Sequence, residues 1–322
     1  MSDYVIRTHN LTRYFGDKCA VESLNLAIPR GSVFALMGRN GSGKTTTIRM
    51  LLGLIDPTRG SSEVLGGNSL SLTPRIRSRI GYMSESHTAY IWMRIDECAR
   101  FQRGTFDRWN QRIFDSVIDH FGLKPEQKVK HLSRGQRAGL CLALTMATDP
   151  ELLILDDPAL GLDPVARRSL VEAMLAVTGR QDRTILFSSH LLDDVERVAD
   201  HVAILDDAVL RVHAPVDEFL SRVSLWRLQF NQLPDALPPL PGLIHTRYLD
   251  DEVHVTLANA DEAVISQLNN LGARSVEKKD IGLDRAVLDY LTARGRTGSL
   301  LQLIGSDEPA SIPLEPALEA RA

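Results

Sequence analysis

Residues 38–45 read Gly-Arg-Asn-Gly-Ser-Gly-Lys-Thr, a complete G-x-x-x-x-G-K-[ST] phosphate-binding loop. The apolar run 32–37 before it is predicted to be a buried strand, and the pattern at 46–52 after it to be a helix. Glycines let the main chain approach a polyphosphate, and the backbone N–H groups and the helix N-terminus favour the anion. Lys44 can reach the β- and γ-phosphates, and the hydroxyl of Thr45 can ligate Mg²⁺. The loop therefore predicts nucleotide binding on an α/β fold.

The rest of the chain predicts how that fold is organised. Continuous apolar runs at 80–83, 152–155, 184–187 and 202–205 are typical of parallel strands covered on both faces. Residues up to about 30 alternate as short strands, and residues 87–147 have helical spacing. The predicted fold class is α/β. It is a P-loop NTPase core with a mostly parallel sheet and an antiparallel β subdomain, plus a helical subdomain and a small α+β C-terminal domain.

The composition changes near residue 221, which divides the chain into a first domain, 1–220, and a smaller one, 221–295. The segment 233–242 holds four prolines in ten residues and is interpreted as a stiff linker or loop. Strand, helix, strand and short-helix patterns follow it. The tail, 296–322, is rich in Gly, Ser, Pro and Glu, and we expect it to be disordered.

Composition argues against several classes of protein. The net charge is −4 and there is no run of Lys or Arg, so nucleic acid is not an expected partner. Cys19, Cys98 and Cys141 are scattered, which suggests neither a disulfide framework nor a zinc site and fits a reducing cytoplasm. No apolar run approaches the ~18 residues of a membrane span, and the N-terminus has no signal-peptide pattern. We therefore expect any role at a membrane to depend on a partner.

Further motifs follow the phosphate loop in a defined order. Residues 132–136 read Leu-Ser-Arg-Gly-Gln, 153–158 read Leu-Ile-Leu-Asp-Asp-Pro, 161–164 read Gly-Leu-Asp-Pro, and His190 follows the predicted strand 184–189. In this order and spacing, the set resembles the nucleotide-binding subunit of an ABC transporter over about residues 4–220. The short helical segment, the Pro-Ala-Leu-Gly-Leu-Asp-Pro stretch and the C-terminal extension are similar to the bacterial ABC-2-type exporter subfamily.

The resemblance implies ATP and Mg²⁺ as ligands and assigns a role to each matching residue. Nucleotide binding falls to Phe15, which would stack on adenine with Tyr14 as the fallback, and to Gly38, Asn40, Gly41, Ser42, Gly43, Lys44, Thr45 and Thr46. The resemblance assigns Mg²⁺ binding to Thr45, Glu85 and Asp156, and it assigns catalytic roles to Asp157, His190 and Glu85. The site of an opposing copy would be served by Ser133, Gly135, Gln136 and Asp163.

Three residues depart from the family pattern. Asp157 stands where the family usually has glutamate, Glu85 where it has glutamine, and Arg134 where it has glycine. Aspartate is one methylene shorter, and a reacting group misplaced by ~1 Å can cost on the order of 10²-fold in rate. Ser133 read alone is equally consistent with a plain helix cap. Trp92, Met93 and Trp109 fit either helix core or the surface that receives the membrane subunit.

The sequence thus predicts an ATPase subunit that energises export through a separate membrane permease. Two copies, or one copy and a paralogous ATPase subunit, would close head to tail on ATP. The expected location is cytoplasmic, peripheral on the inner face of the membrane. Two alternatives stay open: a soluble ABC-type ATPase acting on ribosomes or DNA, and an ATP-sensing regulatory module whose slow turnover would follow from Asp157.

Overall fold

The computed structural model describes residues 3–178, 183–189 and 192–292. The strands of the first part of the chain are β1 (Tyr4–Phe15), β2 (Lys18–Leu24), β3 (Ala27–Pro29), β4 (Val33–Gly38), β5 (Arg59–Val64), β6 (Gly67–Asn68), β7 (Ile80–Met83), β8 (Leu152–Leu155), β9 (Thr184–Ser189), β10 (His201–Asp206) and β11 (Val209–Pro215). Its helices are α1 (Lys44–Leu51), α2 (Pro74–Arg77), α3 (Ile95–Thr105), α4 (Gln111–His120), α5 (Arg134–Ala147), α6 (Pro164–Thr178), α7 (Leu192–Val198) and α8 (Val216–Arg222). The last part holds β12 (Val223–Gln229), β13 (Leu243–Leu249), β14 (Glu252–Ala258), α9 (Glu262–Asn269), β15 (Ser275–Lys279) and α10 (Leu283–Thr292).

The main sheet is mixed, as the sequence predicts. Its parallel half runs β10-β4-β9-β8-β7, and its antiparallel half includes β1, β2, β3, β5 and β6, with β11 between the two halves. Strands β4 and β8 are buried along their whole length, which explains their continuous apolar sequences. Because β4, β9 and β8 are parallel neighbours, their carboxyl ends meet at one edge, where α/β sheets bind ligands.

The helical part between β7 and β8 consists of α3, α4 and α5. The helical spacing predicted over 87–147 was wrong at its start, because α3 begins at Ile95 and Trp92 lies in the preceding turn, 68% exposed. Met93 and Trp109 pack against the main core, which supports the core interpretation for both. Gly122, with φ of 61°, follows the end of α4, where a left-handed glycine commonly ends a helix.

The C-terminal part forms a second sheet of four strands in the order β13-β14-β12-β15, in which all three neighbouring pairs are antiparallel. The Pro-rich segment connects β12 to β13 and so lies inside this unit. Of the two interpretations of the segment, a stiff linker or a loop, the structure shows a loop inside the unit and not a linker ahead of it, because β12 precedes it and pairs with both β14 and β15. The unit is not isolated, since Val287 of α10 and Val195 of α7 belong to one buried apolar cluster.

Within the described ranges, no helix is both long and apolar enough to cross a membrane. His190 and the tail 296–322 fall outside those ranges.

Candidate functional site

The phosphate loop joins β4 to α1 in a conformation that requires glycine at two places. Gly43 has φ of 108°, and a Cβ there would lie 2.3 Å from the carbonyl oxygen of Ala20. A Cβ on Gly38 would lie 2.3 Å from the carbonyl oxygen of Leu205. The loop is therefore pressed against β2 and β10, and a side chain at either position would displace it.

Lys44 lies inside this loop, 7% exposed. Its Nζ donates to the carbonyl oxygens of Gly38 at 2.8 Å and Arg39 at 3.1 Å. Burial lowers the pKa of the Lys44 ammonium, and the charges of Asp157, Asp156 and Glu85 oppose that effect. These carboxylates therefore lie close enough to act on Lys44, so the fold brings four predicted site residues together.

Asp156 follows β8 and is 1% exposed. Its Oδ1 accepts hydrogen bonds from the hydroxyls of Thr45 at 3.0 Å and Ser188 at 2.8 Å. Burial raises the pKa of this carboxyl and so does the charge of Asp157, while the two hydroxyl hydrogen bonds lower it. Donated hydrogen bonds stabilise the carboxylate form that a cation needs.

Asp157 is 6% exposed and has a left-handed backbone with φ of 45°. Its N–H donates to Ser188 Oγ at 2.8 Å. Ser188 thus donates to Asp156 and accepts from Asp157, which ties β9 to both acidic residues. Sequence reasoning missed Ser188. The available signal was a hydroxyl at the carboxyl end of a buried apolar strand.

Glu85 lies in the turn that follows β7 and is half-buried. Two residues later, His87 closes this turn through a hydrogen bond from its N–H to the carbonyl oxygen of Ser84 at 3.1 Å. The imidazole of His87 is 2% exposed, and its Nε2 lies 2.8 Å from the carbonyl oxygen of Pro158. His87 was also missed, because no local pattern separates it from a solvated loop histidine.

The Leu-Ser-Arg-Gly-Gln segment, 132–136, which we call the signature, spans the start of α5. Ser133 and Gln136 form a capping box, in which the Gln136 N–H donates to Ser133 Oγ at 3.1 Å and the Ser133 N–H donates to Gln136 Oε1 at 3.1 Å. Gly135 is buried against α6, and a Cβ on it would lie 2.5 Å from Ala166 Cβ. Asp163 caps α6 by accepting from the Ala166 N–H at 3.0 Å. The signature and the Asp163 turn therefore form one packed surface.

Arg134, the departure from the signature pattern, packs against this same surface. A Cβ on Gly161 would lie 2.5 Å from the guanidinium carbon of Arg134. The arginine side chain therefore covers the loop that leads from Pro158 to Asp163.

The two aromatic residues at the end of β1 differ in what they contact. The Tyr14 hydroxyl donates to the carboxylate of Glu22, which holds the ring along β2. Phe15 is 49% exposed, and the guanidinium carbon of Arg13 lies 4.5 Å from its ring centroid. Phe15 is therefore the aromatic side chain that offers an exposed face at this position.

The loop and its neighbours fit a bound nucleotide and Mg²⁺. Ser42 Oγ is buried and has no hydrogen-bond partner within the described part of the chain. The oxygens of Thr45 and Asp156 lie 3.0 Å apart, which suits two oxygen donors for Mg²⁺. No cluster of three His, Cys, Asp or Glu side chains that could hold a metal occurs among residues 3–178, 183–189 and 192–292. Mg²⁺ held by few protein oxygens and by phosphates agrees with that result.

An exposed aromatic patch lies at the start of the helical part. It consists of Tyr90, Ile91, Trp92 and Phe101, which are 42%, 52%, 68% and 48% exposed. The Tyr90 ring centroid lies 5.3 Å from those of Trp92 and Phe101. Exposed aromatic side chains that contact one another in this way are typical of interaction surfaces.

Comparison with known proteins identifies the family. The ABC transporter family model matches residues 21–160. The bacitracin transport ATP-binding protein of Bacillus licheniformis is 35% identical over 220 residues, which are 68% of this chain and 72% of the relative. The Nod factor export ATP-binding protein I of Bradyrhizobium diazoefficiens is 34% identical over 250 residues, or 74% of this chain and 81% of the relative.

Solved structures agree with this assignment. An ATP-binding subunit of an ABC transporter superposes with a TM-score of 0.61 at 25% identity, covering 67% of this chain and 92% of that one. A dimeric ATP-binding cassette bound to ADP and Pi has a TM-score of 0.58 at 18% identity, covering 65% and 98%, and shows the same fold. From the family match and the 35% identity over most of a relative's length, the chain belongs to the family of ABC transporter ATP-binding proteins.

Proposed function

We propose that this chain is the ATP-hydrolysing subunit of an exporter and acts through a separate integral membrane permease. The proposal rests mainly on the hydrogen-bonded group at the carboxyl edge of the sheet, where Thr45 and Ser188 both donate to the carboxylate of Asp156 beside Lys44. A relative named for bacitracin transport supports a role in transport, and one named for Nod factor export supports export as its direction.

Each residue of this group has a separate task. Lys44 and the N–H groups of the loop, with Ser42, Thr46 and the neighbouring glycines, bind the phosphates. Thr45, Asp156 and Glu85 hold Mg²⁺, which neutralises charge that develops on the phosphates. Asp157 accepts a proton from the attacking water. His190 is assigned to orient that water on the basis of the resemblance alone.

The signature has its task in a second copy. Ser133, Gly135 and Gln136 begin a helix, and the N–H groups at such an end favour a phosphate. In a head-to-tail pair this end of α5 faces the nucleotide of the opposing copy, and Asp163 lies at the same interface. ATP then joins the two copies, and hydrolysis releases them. The partner is a second copy or a paralogous ATPase subunit.

The aromatic patch is the proposed contact with the permease. Its residues are exposed, and three of them, Tyr90, Ile91 and Trp92, lie in the loop that also carries Glu85, so a partner bound there adjoins the nucleotide site. Binding at this patch would hold the subunit on the cytoplasmic face of the membrane.

Dimerisation tests the head-to-tail arrangement. We expect the Asp157→Asn variant to become a dimer by light scattering when MgATP is added, and to stay a monomer without it. A monomer under both conditions at high protein concentration, with the permease also present, would contradict the arrangement.

Turnover with and without the permease tests the role in transport. We expect the reconstituted permease to raise steady-state ATPase activity, and Trp92→Ala to reduce that increase. Leu288→Ala, which removes another exposed apolar side chain (48%, against 68% for Trp92) on α10, is the control. A slow rate that the permease does not change would favour the regulatory module instead.

A further inference from the structure

The loop that connects β7 to α3 joins two surfaces of different function. Near its start lies Glu85, and near its end lie Tyr90, Ile91 and Trp92 of the aromatic patch. Between them, residues 84–88 form a short ordered turn in which Ser84, Ser86 and Thr88 hydroxyls are linked at 3.0 and 2.7 Å. The segment is therefore built to hold one shape between the two surfaces.

His87 fixes this turn to the loop that carries Asp156, Asp157 and Pro158. Pro158 has no N–H and its carbonyl oxygen only accepts, so His87 Nε2 carries the proton and donates across 2.8 Å. The contact is buried, and the backbone of His87 has φ of 47°, outside the region that most side chains prefer. Burial lowers the pKa of the imidazole, and the hydrogen bond to the Pro158 carbonyl opposes that effect. The contact itself requires only the Nε2–H, which the neutral tautomer and the charged ring both carry.

Pro158 directly follows Asp157, so the His87 contact limits where Asp157 can lie. The backbone around Asp157 is held at the Asp157 N–H by Ser188 and at the carbonyl of the following residue, Pro158, by His87. These two hydrogen bonds lie on the peptide groups before and after the Asp157–Pro158 peptide bond, and together they hold Asp157 in its left-handed conformation.

The residue after His87 makes a second contact, with the signature helix. Cys141 Sγ in α5 lies 3.7 Å from the carbonyl oxygen of Thr88. His87 thus contacts the loop that carries Asp157 and Pro158, and the adjacent Thr88 contacts α5.

We propose that His87 is a positioning residue, which sets the placement of Asp157 and passes displacement of the aromatic patch to it through the hydrogen bond to Pro158. The second half rests on the proposed function of the patch as the permease surface. The first half does not, since it concerns only the ATPase subunit.

Two amide substitutions at His87 separate the effect of side-chain length from the ability to donate a hydrogen bond. In His87→Gln the amide N–H extends about as far as Nε2, whereas in His87→Asn it is one methylene shorter, although asparagine tolerates φ above zero. We expect His87→Asn to lower kcat about 10-fold or more with KM for ATP changed less than about 2-fold, because a misplaced reacting group costs rate and not binding. His87→Gln should recover kcat to within about 3-fold.

A matched control and a double variant make the test specific. His120 Nε2 also lies 2.9 Å from a backbone carbonyl, that of Ser169, far along the chain, so His120→Asn should leave kcat unchanged. In the Asp157→Asn background, His87→Asn should cost less than about 2-fold, because its effect acts through Asp157. Thermal unfolding of each variant shows that the fold is kept.

Three results would overturn the inference: His87→Asn with wild-type kcat, equal loss in His87→Asn and His87→Gln, or losses that multiply in the double variant. If basal kcat behaves as expected but His87→Asn keeps full stimulation by the permease, His87 positions Asp157 and does not transmit. If the wild type itself shows no stimulation, the proposed function fails, and the basal kcat comparison still decides the positioning role.

Discussion

Replacing Asp157 with asparagine tests the base assignment most directly. Asparagine has nearly the same shape, and the hydrogen bond to Ser188 comes from the backbone N–H, so the substitution leaves both packing and that contact in place. What it removes is the proton acceptor. General base catalysis contributes about 10²- to 10⁴-fold, so we expect kcat to fall by that factor, or about 3–5 kcal/mol in the barrier.

Binding of MgATP should move in the opposite direction. The charge of Asp157 raises the pKa of Asp156, so removing it eases ionisation of the carboxylate that would hold Mg²⁺. We therefore expect Asp157→Asn to bind a fluorescent ATP analogue at least as tightly as the wild type. Phosphate release with the permease present measures turnover, and Asp107→Asn, at an exposed aspartate, is the control for loss of charge. Hydrolysis by Asp157→Asn as fast as the wild type would show that another group is the base.

Glutamate at the same position completes the comparison. The site is 6% exposed and left-handed, so an added methylene meets packed neighbours and a backbone that glutamate disfavours. We expect Asp157→Glu to lower the free energy of unfolding by about 1–3 kcal/mol and to slow turnover. Faster turnover would show that the aspartate is too short, as the family pattern suggests.

Three further predictions concern other parts of the molecule. Lys44→Ala should abolish tight MgATP binding, because the β- and γ-phosphates lose their main cationic partner, and unchanged affinity in a titration would reject the loop assignment. Gly135→Ala should destabilise the fold by about 1–3 kcal/mol and prevent ATP-driven dimerisation, because its Cβ would lie 2.5 Å from Ala166 Cβ, whereas Gly104→Ala, with open space around it, should be neutral or stabilising in urea unfolding. Burial, with a smaller contribution from His201, lowers the pKa of His213 to about 4, so folding favours its neutral form. His213 leaves the free energy of unfolding unchanged above pH ~6.5, where its ring is neutral in both the folded and the unfolded chain. The free energy of unfolding then falls by up to about 3 kcal/mol as the pH drops to ~4, because the unfolded chain binds the proton first. His213→Gln should flatten this part of the unfolding profile, and an unchanged slope would contradict the assignment.

Much of the site follows from local sequence. The phosphate loop, the strand before it and Asp156 after an apolar run are encoded within a few residues, because anion binding needs consecutive N–H groups and a buried strand needs consecutive apolar side chains. The mixed sheet and the helical part are predictable for the same reason. Local composition also identified the segment 233–242 as a linker or loop, but it did not show that the segment lies inside the C-terminal unit. Only the strand pairing shows that β12, which precedes the segment, belongs to that unit.

The contacts that position the acidic residues come from the tertiary structure alone. Ser188 reaches Asp156 across 32 positions of sequence, and His87 reaches Pro158 across 71, because the sheet order brings β9 and β7 to either side of β8. The burial of Gly135 against Ala166 likewise depends on how α5 and α6 pack. Residue spacing predicts which face of an element is buried, but it does not predict which distant element covers that face.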